Sequence, residues 1–504
     1  MKNKFRYGIE NMSLDMLDDI LSGSMTTALV DEALKQINTS SNIVHRMAVG
    51  DKPVYGINTG FGPLWDTIIQ GSDTHQLQRN LLITHAVGVG TPISPLLSKT
   101  MMITKVHALA QGHSGIRTEV IERIQLFIDR DWIPVVPSQG SVGASGDLAP
   151  LSHLFLPLIG EGFFWQGSVQ VAAGKMLADH NLIPLELHSK EGLALINGTQ
   201  FILAHAALGL KKMEYLLDLA DVVAAMSLEG YQGSAAPFHP GLHKLRPFSG
   251  SQIVAERMLH FLKDSDNLHQ HADCHRVQDP YSIRCVPQVH GASRNAISHL
   301  RELTEIELNA VTDNPIILNE QEIISGGNFH GQPLAMAIDY ACLATAELGN
   351  ISDRRCYLLL EGKYGLPRML VHNEGLNSGL MIPQYTTAAL VTENKTLCYP
   401  ASADSIPTAL GQEDHVSMGS ISGRKWHQVI NNLEKILAIE LLYATQAMEF
   451  RRPNTFSDIL EENFAIVRKE VSFMKEDRLI APDIEALIQL VRNQKIYVKH
   501  DRSR

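Results

Sequence analysis

Residues 424–452, RKWHQVINNLEKILAIELLYATQAMEFRR, contain neither glycine nor proline. Apolar side chains recur in this stretch at steps that bring them to one face of an α-helix. They are Leu433, Ile436, Leu437, Leu441, Ala444 and Met448. The stretch therefore predicts one long helix whose apolar face packs against other helices.

Three further segments have the same character. The residues from Ile297 to Val311 repeat apolar side chains at steps of three and four. Leu210–Glu229 and Leu334–Leu348 are uninterrupted by glycine or proline, and each is followed by a glycine, Gly230 or Gly349. We interpret these two glycines as C-caps, because glycine adopts the left-handed conformation that ends many helices.

Strand signals are few. Phe163–Val171 around Gly167, and Ile316–Ile324 around Asn319-Glu320, predict two short hairpins. The fold class that we expect is mainly α, with a long central helical bundle, a loop-rich N-terminal region and a few short hairpins. We assign residues 1–200 to the loop-rich region and residues 201–504 to the long-helix bundle, within one continuous body.

The composition narrows the class of function. The 504 residues include 43 basic and 54 acidic side chains, which give a net charge of −11. This balance argues against broad contact with nucleic acid or an anionic membrane, since both require basic patches. The number of cysteines is odd (5) and no two form a C-x-x-C pair, which argues against a disulfide framework. With neither a secretory signal nor an apolar run of membrane-spanning length, the sequence predicts a cytoplasmic protein.

The residues from Pro137 to Pro150, PSQGSVGASGDLAP, carry the strongest chemical signal. Ser145 is not the nucleophile of a G-x-S-x-G elbow, because the position two residues later is Asp147 rather than glycine. A second interpretation is a reaction of the backbone itself, in which the Gly146 nitrogen closes a ring onto the Ala144 carbonyl and Ser145 loses water. The product is methylideneimidazolone, an electrophile made from the chain. A tight turn before a helix capped by Asp147 is the structural alternative.

Seven motifs occur in the order in which they occur in the aromatic amino-acid ammonia-lyases, which this chain resembles. They are Tyr55–Gly62 (YGINTGFG), Thr84-His85, Gly143–His153 (GASGDLAPLSH), Leu195–Thr199 (LINGT), Gln278–Cys285 (QDPYSIRC), Gly326–His330 (GGNFH) and Gln412–Met418 (QEDHVSM). The resemblance implies a fold of the fumarase/aspartase-like superfamily. It also implies a homotetramer in which each active site collects loops from three chains, and a methylideneimidazolone cofactor with no exogenous cofactor or metal.

The resemblance implies two groups with distinct tasks in the elimination of ammonia. The electrophile from Ala144, Ser145 and Gly146 takes the substrate amino group, which by itself leaves poorly. Tyr55 is the base for the Cβ proton. Because a free tyrosine titrates near ~10, the site must lower the pKa of Tyr55 or work with a small phenolate fraction.

Further residues bind substrate by the same resemblance. Arg284 offers a planar, bidentate partner for the substrate carboxylate. Asp279-Pro280 predicts an N-cap followed by proline at the first helical position, so that Tyr281 and Arg284 lie on the first turn of a helix. The remaining positions, which contact substrate or cofactor, are Asn197, Gln278, Tyr281 and Phe329.

Two positions indicate the substrate. Glu413 offers a carboxylate to an imidazole N–H, whereas members acting on tyrosine or phenylalanine carry glutamine there. His85, preceded by Thr84 where histidine-specific members have serine, can hydrogen-bond an imidazole. Both favour L-histidine, with trans-urocanate and ammonia as products.

Other interpretations of the function remain open. Within the family, the alternatives are a tyrosine or phenylalanine ammonia-lyase and a 2,3-aminomutase. Outside it, they are a non-enzymatic helical scaffold and, more remotely, a serine hydrolase. The run His269–His275 matches no zinc signature, and we expect it to be an exposed polar loop without a catalytic metal.

Overall fold

The computed structural model describes residues 4–50, 53–69, 73–270 and 277–499. Helices dominate these residues, so the expected mainly α fold class is confirmed. They are α1 (Leu14–Ser22), α2 (Asp31–Ala48), α3 (Thr74–His85), α4 (Pro95–Ala110), α5 (Thr118–Asp129), α6 (Leu148–Phe155), α7 (Ala173–Asp179), α8 (Glu191–Ile196), α9 (Gln200–Tyr231), α10 (Pro240–Lys244), α11 (Ser249–Phe261), α12 (Asp266–His269), α13 (Tyr281–Arg284), α14 (Val286–Leu308), α15 (Gln332–Leu360), α16 (Met381–Leu397), α17 (Gly419–Glu449), α18 (Asp458–Glu470) and α19 (Ala481–Arg492). None of the helices in these ranges is long and apolar enough to cross a membrane.

The strands are short and pair in twos. They are β1 (Lys4–Arg6), β2 (Thr26–Ala28), β3 (Val89–Pro92), β4 (Pro137–Gln139), β5 (Phe163–Gln166), β6 (Val169–Ala172), β7 (Ile316–Ile317) and β8 (Ile323–Ile324). The antiparallel pairs β5–β6 and β7–β8 confirm the two predicted hairpins. The parallel pair β1–β2 and the antiparallel pair β3–β4 were not predicted, because strands of three or four residues show too little alternation to be recognised.

The residues that lie close together in space divide the chain into two compact units. Unit 1 comprises Met1–Leu208, Leu300–Asp339 and Pro400–Arg424; unit 2 comprises Gly209–His299, Tyr340–Tyr399 and Lys425–Arg504. Each unit thus gathers three segments that are distant in sequence. The division at residue 200 follows chain order instead, and it stays a prediction.

Two glycines of unit 2 serve close packing rather than helix ends. Gly230 lies inside α9, where an added Cβ would be 2.6 Å from the Cβ of Ala447. Gly349 lies inside α15, where an added Cβ would be 3.0 Å from Cδ1 of Ile436. The prediction that they are C-caps is wrong, because both helices continue past them and the missing side chain admits a neighbouring helix instead.

A buried ion pair lies in the core of unit 2. Nη2 of Arg355 is 2.9 Å from Oε2 of Glu440, and both side chains are fully buried. The Ser227 hydroxyl donates to Oε1 of Glu440 at 2.7 Å, and the Ser352 hydroxyl donates to Oε2. The buried carboxylate is therefore both neutralised and hydrogen-bonded, which is the condition under which such a charge is tolerated.

The histidine run is described only at its start. His269 is the last residue of α12, whereas His271, Asp273, Cys274 and His275 lie outside the described residues. Among the residues that the structure describes, no three His, Cys, Asp or Glu side chains are grouped so as to hold a metal ion.

Candidate active site

The loop before α6 turns back sharply at the three residues of the predicted electrophile. Ser145 has φ +48° and Gly146 has φ +81°, both in the left-handed region, which is unusual for the serine. A Cβ at Gly146 would lie 2.1 Å from the carbonyl oxygen of Gly198, so only glycine fits there. The turn is fastened to that neighbour, since the Gly198 N–H donates to the Ser145 carbonyl at 3.3 Å and the Asp147 N–H donates to the Gly198 carbonyl at 2.8 Å.

Asp147 anchors this loop to the start of α9. Its Oδ2 accepts hydrogen bonds from the backbone N–H groups of Phe201 (3.1 Å) and Ile202 (3.0 Å), and its Oδ1 accepts one from the Ser141 hydroxyl. Complete burial raises the pKa of Asp147 to about 7, while these donors act in the opposite direction. Asp147 stands at the N-cap position of α6, but its side chain caps α9 rather than the helix that follows it.

Two cavities of unit 1 meet at Ser145. The first has a volume of about 480 Å³, and the second has a volume of about 450 Å³. Tyr55, Ser145, Asn197 and Glu413 line both of them. His85 lines the first and Phe329 the second. The structure thus brings together residues from six of the seven motifs.

Glu413 lies directly against the predicted electrophile. Its Oε1 accepts a hydrogen bond from the Ser145 hydroxyl at 3.1 Å, and its Oε2 accepts one from the Thr408 hydroxyl at 2.9 Å. The backbones of Thr408 and Glu413 also pair, since the Thr408 N–H donates to the Glu413 carbonyl at 2.9 Å. The carboxylate is therefore held in the cavity by contacts at both oxygens.

Tyr55 is half-buried beside this carboxylate. Burial raises the pKa of Tyr55, the negative charge of Glu413 raises it further, and the Gly62 N–H, 3.4 Å from the phenol oxygen, lowers it. A tyrosine base requires either a lowered pKa or a reaction that works with a small phenolate fraction. These residues raise the pKa of Tyr55, so they do not provide the first. The described surroundings leave a small phenolate fraction.

His85 presents a neutral imidazole to the first cavity. Its Nδ1 is 2.8 Å from the Leu81 carbonyl, an acceptor, so Nδ1 carries the proton. Burial lowers the pKa of His85, whereas the Leu81 carbonyl and the charge of Glu413 raise it. Nε2 then carries the lone pair and can accept a hydrogen bond. The Thr84 hydroxyl, the departure noted from the sequence, donates to the Asn80 carbonyl at 2.8 Å and is 3.1 Å from Nδ1.

Asn197 and Ala144 complete the surroundings of Ser145. Asn197 is buried, and within the described residues its Oδ1 has no hydrogen-bond partner. Ala144 packs in a small apolar cluster with Val416 and Met418, the end of the Gln412–Met418 motif.

Gln278, Tyr281 and Arg284 belong to unit 2. None of these three residues, which the structure describes, lines either cavity around Ser145. The guanidinium carbon of Arg284 lies 4.4 Å from the centre of the Tyr281 ring, and Tyr281 is 71% exposed. The buried Nε of Arg284 has no hydrogen-bond partner among the residues that the structure describes. Gln278 is exposed and lines a separate cavity of about 610 Å³ in unit 2.

The helix expected after Asp279-Pro280 is present, but its cap differs. α13 begins at Tyr281, and Pro280 rather than Asp279 holds the N-cap position. The carboxylate of Asp279 instead accepts a hydrogen bond from the Ser234 N–H at 2.6 Å. The predicted cap is therefore wrong, because a tertiary contact takes the carboxylate.

Some residues of the site were missed by sequence reasoning. Thr408, which holds Glu413, lies in no recognisable motif. Lys105 donates to the backbone carbonyl of Asn197 at 2.5 Å. A lysine inside the mostly apolar run of α4, MMITKVHALA, is a signal from which Lys105 could have been singled out.

The chain is similar to known proteins over nearly its whole length. The family model "Aromatic amino acid lyase" matches residues 12–469. A histidine ammonia-lyase of Symbiobacterium thermophilum is 47% identical over 470 residues, covering 93% of this chain and 92% of that protein. The crystal structure of histidine ammonia-lyase from Trypanosoma cruzi is 39% identical with a TM-score of 0.89, covering 98% of this chain and 94% of that one. Tyrosine aminomutase from Streptomyces globisporus is 33% identical with a TM-score of 0.92, covering 98% and 97%.

The match extends over nearly the whole chain, and it includes the loop in which Ser145 meets Glu413. The protein is therefore an enzyme that belongs to the aromatic amino acid lyase family.

Proposed function

We propose that the protein is a histidine ammonia-lyase, which eliminates ammonia from L-histidine and forms trans-urocanate. The observation that carries the proposal is the pairing of Glu413 with Ser145 at 3.1 Å in a cavity that His85 also lines. A carboxylate and a neutral imidazole acceptor in one pocket suit an imidazole ring that is protonated, because such a ring has an N–H donor at each nitrogen. The names of the relatives from Symbiobacterium thermophilum and Trypanosoma cruzi support the same substrate.

The residues present fit a methylideneimidazolone formed from Ala144, Ser145 and Gly146. The left-handed φ values of Ser145 and Gly146 produce a tight turn, and the absence of a side chain at Gly146 removes the main obstacle to a ring. The orphaned Oδ1 of Asn197 beside this turn supports a polar group at that place. Such a group supplies an electrophilic carbon that takes up the substrate amino group.

Tyr55 removes the proton from the substrate Cβ in this proposal. Its phenol oxygen faces the same cavity as Ser145, and its raised pKa limits the base to a small phenolate fraction at neutral pH. The Tyr55–Gly62 loop that carries it also lines the cavity, where it helps to exclude water.

The other residues orient the substrate. Glu413 accepts a hydrogen bond from one imidazole N–H of the substrate. Nε2 of His85 accepts from the second ring N–H, which is present when the substrate ring is protonated. Asn197 hydrogen-bonds near the electrophile, and Phe329 forms an apolar wall. Arg284 binds the substrate carboxylate, an assignment supported by its unpartnered Nε. Gln278 and Tyr281 accompany it.

We also propose that the enzyme is a cytoplasmic homotetramer. The exposed Tyr281 and the location of Gln278, Tyr281 and Arg284 in unit 2 support a site that is completed by other copies of the chain, as the family resemblance implies. The four cysteines of the described residues are not joined in disulfides, which suits a reducing compartment; they are Cys285, Cys342, Cys356 and Cys398.

The test is ammonia release by the purified protein from L-histidine, L-tyrosine and L-phenylalanine, with each organic product identified. Urocanate from L-histidine is the expected result. A cinnamate-type product from an aromatic substrate alone would contradict the role given to Glu413 and His85. A β-amino acid without net ammonia would identify an aminomutase, an alternative to which the similarity with tyrosine aminomutase draws attention.

Intact mass tests the cofactor separately. The wild-type chain should be lighter than its sequence by two waters, one from cyclisation and one from dehydration of Ser145. Ser145→Ala should abolish this mass deficit together with all turnover. A wild-type mass equal to that of the sequence contradicts the cofactor assignment.

A further inference from the structure

Lys105 is a buried cation without an assigned role in the reaction. It lies in the middle of α4, is 1% exposed, and its Nζ is 2.5 Å from the backbone carbonyl oxygen of Asn197. A nearby carboxylate, Asp313, is paired with a second buried lysine, Lys190, at 2.6 Å. Burying an ammonium is costly, and Asp313 is already matched by Lys190, so the charge of Lys105 is directed at a peptide group instead.

That peptide group connects Lys105 to the predicted electrophile. The Asn197 carbonyl and the Gly198 N–H belong to one planar peptide unit, and they point in opposite directions. The Gly198 N–H donates to the carbonyl oxygen of Ser145 at 3.3 Å. A continuous path of two hydrogen bonds therefore runs from the Lys105 ammonium, through one peptide, to the carbonyl oxygen of Ser145.

Hydrogen bonds in such a path strengthen one another. A cation on the carbonyl side of a peptide polarises it and makes its N–H a stronger donor. The path is shielded from water, because Asn197 and Lys105 are both buried. Fixed donors of this kind have their largest effect where charge develops in a dry site.

We propose that Lys105 is a positioning residue that polarises the Asn197–Gly198 peptide. The Gly198 N–H then stabilises negative charge that develops on the backbone carbonyl oxygen of Ser145. This inference rests on the proposed function, since the Ser145 oxygen becomes the ring carbonyl of methylideneimidazolone. When a nucleophile bonds to the former Cβ of Ser145, the electron pair of the carbon–carbon double bond moves toward this oxygen. When the nucleophile leaves, the pair returns.

The charge state of Lys105 is compatible with this role. Burial lowers the pKa of Lys105 to about 8; Asp313 raises it and Lys190 lowers it. At neutral pH the ammonium is therefore still mainly protonated.

Cyanide is a suitable probe, because it is too small to depend on the substrate-binding residues. Its carbon bonds to the former Cβ of Ser145, the electron pair moves toward the Ser145 oxygen, and water supplies the proton. The intact mass then increases by one hydrogen cyanide. The rate of this increase, measured on the fraction that has already lost two waters, reports the electrophile without reference to turnover.

Lys105→Met should slow cyanide addition about tenfold, less than the ~10²–10³ that follows complete loss of such a donor. Lys105→Arg, which keeps the cation, should recover most of the rate. The matched control is Lys190→Met combined with Asp313→Asn, which removes an equally buried lysine with its partner. This control should react at the wild-type rate.

The outcomes separate this inference from the proposed function. A wild-type chain without the two-water deficit refutes the proposed function itself. With that deficit present, a Lys105→Met rate within twofold of wild type, or an equal loss in the control, overturns the role of Lys105. If Lys105→Met does not fold, Lys105→Gln provides the same comparison.

Discussion

Replacing Glu413 by glutamine tests the substrate assignment with the least change of shape. Glu413 accepts hydrogen bonds from the hydroxyls of Ser145 and Thr408, at 3.1 and 2.9 Å. A glutamine has the same size, and the Thr408 hydroxyl, which remains after Ser145 has lost its own hydroxyl as water, can rotate to accept from the amide N–H. We therefore expect little change in the thermal midpoint of unfolding.

The loss on the substrate side should be larger. A hydrogen bond to a charged group contributes about 1.5–3 kcal/mol, whereas a neutral one contributes about 0.5–1.5 kcal/mol. The difference of roughly 1–1.5 kcal/mol corresponds to a fall of about tenfold in kcat/KM on L-histidine, since ~1.4 kcal/mol is a factor of ten. Any participation of the carboxylate in proton transfer adds to this loss.

The assay is urocanate formation by purified Glu413→Gln, with the unfolding midpoint measured on the same preparation. Asp414→Asn is the matched control, because Asp414 is exposed, adjoins Glu413 and carries the same charge. Wild-type kcat/KM in Glu413→Gln, or an equal loss in Asp414→Asn, would refute the argument that the carboxylate selects an imidazole.

Three further predictions address the base and the core. Because burial and the charge of Glu413 raise the pKa of Tyr55, the phenolate fraction grows with pH; kcat/KM on L-histidine should increase from about pH 7 to about pH 9, and a plateau within that range would contradict this assignment. Glu440→Gln leaves Arg355 buried without a counter-charge, so urea unfolding should show a loss of about 3–5 kcal/mol, and unchanged stability would be inconsistent with the pair. Gly230→Ala brings a Cβ to 2.6 Å from that of Ala447; the resulting strain of about 1–3 kcal/mol should exceed the ~1 kcal/mol helix preference of alanine, so a raised Tm would show that the contact can relax.

The sequence alone predicted the helical class, and it indicated the chemistry that we propose for the Ser145 loop. Helical periodicity is a local property, so residues 424–452 predict most of α17 without knowledge of its neighbours. The motif from Gly143 to His153 is also contiguous, and the resemblance that it carries extends to Tyr55, His85 and Glu413. These residues do line common cavities in the structure.

Contacts between distant segments were decided only by the tertiary structure. The same local rules made Gly230 a C-cap and Asp279 a helix cap, whereas packing against Ala447 and a hydrogen bond from Ser234 gave each another task. The raised pKa of Tyr55 and the contact of Lys105 with the Asn197 carbonyl have the same origin. Burial and hydrogen bonding depend on which segments meet, and a one-dimensional pattern of residues does not contain that information.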